Sequence, residues 1–123
     1  MKQLLLFVTL STLLAMPAWA AEKVKLPHDF SATIKPGKIH EECAEFKKGQ
    51  VVAYKFNASQ PVPFNIHYHV GKGKDEKVEY PMKLEKSEVS SSTLTIPVDQ
   101  HYCWMWSNKT TEPLSVTGTI SLK

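Results

Sequence analysis

The chain reads as an all-β protein: a single antiparallel β-sandwich of about seven to eight short strands. Three observations predict it. Apolar residues recur at period two in one segment after another, and period 3.6 is nearly missing. Turn-forming residues also fall between the alternating segments. Strict alternation sends every second side chain to the same side of an extended backbone, which is what a strand with one buried face requires.

The first element is not part of that pattern. Lys2 gives a positive start, Leu4 to Leu14 form an apolar stretch, and Pro17 precedes Ala18-Trp19-Ala20 ahead of Ala21. This is the layout of a secretory signal peptide over 1–20, with cleavage after Ala20. The apolar run falls short of the roughly 20 residues a membrane span needs. The expectation is a periplasmic or secreted protein whose sandwich occupies 21–123, with no membrane span after cleavage. Cleavage removes 20 of 123 residues and leaves 103; loss of Lys2 lowers the net charge from +3 to +2.

The strands follow in order. Val52, Tyr54 and Phe56 alternate within 50–57; Phe64, Ile66, Tyr68 and Val70 alternate with Asn65, His67 and His69 within 62–70. Residues 72–86 carry the densest charge and read as a solvated loop or edge strand. Leu94, Ile96 and Val98 repeat the period, as do Tyr102, Trp104 and Trp106, and finally Leu114, Val116, Ile120 and Leu122. Turns are marked by Pro36-Gly37, Lys48-Gly49, Gly71-Lys72-Gly73, Asp99-Gln100 and Asn108-Lys109.

Composition narrows the function. All 15 basic residues are Lys, interleaved with 12 acidic ones. Bidentate readout of bases or phosphates relies on Arg, so no nucleic-acid partner is expected. There is no Gly-x-Ser-x-Gly elbow, phosphate-cradling glycine loop or His-Glu-x-x-His helix. Glu41 and Glu42 are neighbours, so on a strand they point to opposite faces and cannot act as a carboxylate pair. No enzymatic activity is expected. The sequons at Asn57 and Asn108 read as chance matches.

Two readings of Cys43 and Cys103 stand at this point. In an oxidising compartment two distant thiols usually pair, and closing such a loop stabilises by roughly 4 kcal/mol in the chain-entropy model. Alternatively, a reduced Cys103 serves as a metal ligand.

The mature chain resembles the GOLD (Golgi-dynamics) type of β-sandwich. The residues that carry the likeness are Glu42-Cys43, Lys48-Gly49, the Val52-Tyr54-Phe56 strand, Phe64-Asn65-Ile66, and Tyr102 with Trp106-Ser107-Asn108 ahead of Val116–Ile120. The resemblance implies an immunoglobulin-like sandwich that binds rather than catalyses, and a disulfide between Cys43 and Cys103. Cys103 lies two residues further from Asn108 than the family pattern places it, on the same strand face.

Chemistry concentrates in Ile66-His67-Tyr68-His69 and in His101-Tyr102-Cys103-Trp104-Met105-Trp106. Residues two apart on a strand share a face, so His67 and His69 project together, and so do His101, Cys103 and Met105. If the two strands are neighbours, as central strands of such sandwiches are, the two sets meet on one outer face. Imidazoles with a thioether suit a soft or borderline metal, with copper the natural candidate. A blue-copper centre is excluded, because it needs a histidine downstream of the cysteine and none follows Cys103. The expectation is a binding module holding copper on His67, His69, Met105 and His101, with Cys103 added if reduced. The alternative is a metal-free protein-interaction module using that face or the charged 72–86 segment.

Overall fold

Six antiparallel strands carry nearly the whole described chain: β1 (His28–Ile34), β2 (Ile39–Phe46), β3 (Val51–Val70), β4 (Lys77–Thr95), β5 (Gln100–Ser107) and β6 (Leu114–Leu122). The structure is a computed structural model describing residues 24–123. The expected signal peptide, 1–20, lies outside the described residues. Each turn named from sequence falls between strands or at a strand end.

The segments 50–57 and 62–70 are one strand, not two. Along one edge β3 pairs with β4 over almost its full length, from Val51↔Thr95 to Val70↔Lys77. Along the other edge it pairs first with β6, over Val52–Ala58, and then with β5, over Phe64–His67. β3 and β4 therefore run through both layers of the sandwich, and each layer holds four strand segments. One layer holds β1, β6, the first half of β3 and the end of β4. The other holds β2, β5, the second half of β3 and the start of β4.

Prolines explain where β3 changes layer. Its register with β4 shifts between Asn57 and Val62 and again between Val62 and Phe64, and Pro61 and Pro63 fall inside those breaks. Proline has no N–H for a ladder, so it sits where the ladder is already interrupted.

The two layers face each other through aromatic rings. Phe56, on the first half of β3, meets Trp106 of the opposite layer at 5.4 Å between ring centroids, and Tyr54 meets Trp104 at 6.0 Å. Tyr102, Trp104 and Trp106 are fully buried, and Val52, Phe56, Phe64, Ile66, Leu114, Val116 and Ile120 lie in the interior with them. The alternation in the sequence assigned each of these to the inner face. Gly118 permits one of the closest approaches, because a β-carbon there would strike the Lys55 carbonyl and the Phe30 ring.

Asn108, 1% exposed, is a polar hub rather than a modification site. Its Nδ2 donates to the carbonyls of Ile34 and Glu112, each at 2.8 Å, and its Oδ1 accepts from the Thr110 amide and hydroxyl. The amide is thus consumed inside the fold. Asn108→Ala strands these buried partners and is expected to cost about 2 kcal/mol, read as a lower urea midpoint with unchanged slope.

Candidate metal centre

Register brings the two chemistry-bearing segments together. His67 on β3 lies opposite Cys103 on β5, which lies opposite Cys43 on β2. One step along, Asn65 lies opposite Met105, and Met105 opposite Glu41. The expected neighbourhood of the two strands is therefore real. His67, Met105 and Cys103 share the outer face of the second layer, while Tyr102, Trp104 and Trp106 point inward.

His67 departs from the expected exposure. It stands on an outer face yet is only 5% exposed. Its cover comes from β4. The register of β3 against β4 slips between Ile66 and Tyr68, where the partner moves from Met82 to Glu79 and β4 gains one residue. Pro81 occupies that bulge and Tyr80 lies beside it, with its ring 5.9 Å from the His67 ring. The His69 ring meets His67 edge-on at 5.2 Å, and the disulfide lies across the strand from it.

Hydrogen bonding fixes which nitrogen of His67 is available. Nδ1 lies 2.8 Å from Asn65 Oδ1. A carbonyl oxygen only accepts, so Nδ1 carries the proton, and in the neutral ring Nε2 presents a lone pair. That Nε2 faces Glu41 Oε1 at 3.5 Å. Burial holds the imidazole below its ordinary pKa; the Glu41 carboxylate works in the opposite direction, and His69 lowers it further. In the neutral ring a lone pair looks at a carboxylate, two acceptors facing one another. A cation between them satisfies both, and a carbonyl holding the far ring nitrogen is the usual support of a metal-bound histidine.

The remaining candidates differ in access. His69 is exposed, and its Nδ1 lies 3.3 Å from Glu76 Oε1. Met105 is half-buried beside Asn65 and Glu41. His101 is exposed and pairs with Glu45 across β2. Among the described residues, the His, Cys, Asp and Glu ligand atoms that gather as a trio within 4.8 Å of one another are those of Cys43, His101 and Cys103. His67 and His69 belong to no such trio. Cys43 and Cys103 form a disulfide with S–S 2.07 Å, as the family resemblance implied, so the oxidised chain offers no Cys103 thiolate. The residues left from the sequence expectation are then His67, His69, Met105 and His101.

Two acidic partners escaped the sequence reading. Glu41 faces His67, while Glu42, pointing the other way, receives two histidines: His28 Nε2 at 2.9 Å and His40 Nε2 at 2.8 Å. Parity along the strand placed Glu41 and Glu42 on opposite faces, as the structure has them. Nothing in the sequence linked His28, on a strand of the opposite layer, to Glu42.

No protein-family model matches the chain, and no curated protein matches it. Among solved structures it is similar to a de novo designed double-stranded β-helix, determined by solution NMR. The two are 15% identical with a TM-score of 0.45, and the match covers 76% of this chain and 99% of that one. What stands is an all-β fold with a curled antiparallel sheet.

Proposed function

We propose that this chain is a non-enzymatic, exported binding module that takes copper, or another soft or borderline metal ion, on the outer face bearing His67, His69, Met105 and His101. One observation carries the reading. His67 is buried on a nominally outer face, held by Asn65 through Nδ1, with its Nε2 3.5 Å from the Glu41 carboxylate. A carbonyl that orients Nδ1 and an anion beside Nε2 form the surroundings in which a metal-binding histidine is usually held. The imidazole and thioether donor set favours copper over hard cations such as calcium or magnesium. The GOLD-type relationship belongs to the same proposal: a sandwich that binds through its surface and catalyses nothing.

Competition titration with Cu(I) and Cu(II) tests the assignment. The wild-type chain is expected to bind one ion more tightly than micromolar, and His67→Ala with His69→Ala to weaken that affinity about hundredfold or more, since even losing an outer-shell partner costs 10–100-fold. Binding weaker than micromolar, or unaltered in the double variant, would sink the proposal.

A metal-free reading has one observation of its own. Val78 and Tyr80 are 38% and 47% exposed on the His69 side of the β3–β4 ribbon. An exposed apolar pair on a charged edge strand suits contact with another protein.

A further inference from the structure

We infer that Cys43–Cys103 is a redox gate over a second cation site: reduction converts the disulfide into a Cys43, Cys103 and His101 ligand set for a soft or borderline ion such as Cu(I) or Zn(II). This goes beyond the His67/His69 reading and shares only His101 with it.

Three features carry the inference. The first is proximity. A ring nitrogen of His101 and both sulfurs lie within 4.8 Å of one another, so two thiolates and an imidazole converge once the sulfurs separate. Two thiolates and one imidazole form a donor set that zinc and cuprous copper both favour.

The second is that the frame does not depend on the S–S bond. Cys43 and Cys103 face each other across β2 and β5 because Glu42↔Trp104 and Ala44↔Tyr102 pair on either side of them. Trp104 and Tyr102 are fully buried and Ala44 is 8% exposed, so the inner face anchors both strands whatever the state of the sulfurs. The thiols stay adjacent after cleavage, with His67 opposite Cys103 on the far side of β5.

The third is access. Cys43 and His101 line a shallow surface groove of about 690 Å³ together with Glu45, Lys47, Asp99 and Gln100. A dithiol reductant reaches the disulfide from this side. Its thiolate attacks Cys43 Sγ, and Cys103 leaves as a thiolate. The second reductant thiol then displaces Cys43 from the mixed disulfide. The reductant ends as a disulfide, two electrons and two protons having passed to the protein. A bound cation then replaces the two thiol protons, which go to solvent.

The oxidised chain has no thiolates and leaves this set closed; the reduced chain opens it. Co(II) titration of the purified chain, oxidised or reduced with a non-coordinating phosphine, reads the difference through thiolate-to-cobalt charge-transfer absorption. The band is expected in the reduced chain alone. It should vanish in Cys43→Ser with Cys103→Ser and require about tenfold or more Co(II) in His101→Ala, a direct ligand mattering at least as much as an outer-shell one. His67→Ala with His69→Ala is expected to retain it, which separates failure of this site from failure of the other. Far-UV circular dichroism should show the reduced chain keeping its sheet. Absence of the band in the reduced chain, its persistence without the cysteines, indifference to His101→Ala, or loss of the sheet on reduction would each overturn the inference.

Discussion

Replacing Trp106 with alanine is expected to lower stability by about 3–5 kcal/mol, a large share of the 5–15 kcal/mol that typically holds a domain together. Trp106 is where the two layers meet. Its ring lies 4.9 Å from Phe30, 5.4 Å from Phe56 and 5.4 Å from Phe64, and it is fully buried. These partners come from β1 and both halves of β3, so truncation opens a cavity that no single strand can close by shifting. Its Nε1 has no hydrogen-bond partner among the described residues. Packing alone therefore holds the indole, and a ring without the N–H retains most of the benefit. Equilibrium urea unfolding is expected to show Trp106→Ala far below wild type and Trp106→Phe between them and nearer wild type. Equal losses in the two variants would mean that the layers are not held together at this ring.

Removing the disulfide is expected to lower stability by about 4 kcal/mol, the chain-entropy figure for the loop between cysteines 60 residues apart. Cys43→Ala with Cys103→Ala should therefore unfold at markedly lower urea while remaining folded at 25 °C, because the interior is built from residues on the other face of both strands. The double variant should also keep its Cu(I) affinity within a few-fold, since the proposed set of His67, His69, Met105 and His101 contains neither sulfur. A variant as stable as wild type would place the strength of the β2–β5 pairing wholly in the backbone and the core.

The strand faces were legible because a period of two is a local property. Each residue declares its side through its neighbours, and Val52, Tyr54, Phe56, Tyr102, Trp104 and Trp106 all fell where their parity put them. The juxtaposition of His67 with Cys103 needed one further assumption, that two particular strands are adjacent, and that assumption holds. The continuity of β3 was less visible, because Asn57, Ser59, Pro61 and Pro63, all turn-forming types, lie between its halves although the strand continues through them. The burial of His67 was not legible. It depends on one extra residue in β4 near Pro81 that brings Tyr80 to the imidazole, a tertiary event with no periodic signature. The His28–Glu42–His40 cluster was hidden for the same reason: it joins strands of opposite layers, and only packing brings them together. The pattern of the chain thus located the face, while the orientation of each ring nitrogen came from neighbours distant in sequence.

Titration of the ¹⁵N-labelled chain with Cu(I), followed through the imidazole nitrogens of its five histidines, bears most directly on the proposed metal face. His67 Nε2 and a His69 ring nitrogen are expected to shift together and saturate at one ion per chain, with His67 Nδ1 still protonated against Asn65. His28 and His40, already engaged by Glu42, are expected to stay where they are. Histidine signals that do not move at a molar excess of Cu(I), or that move only for His28 and His40, would contradict the assignment of copper to His67 and His69.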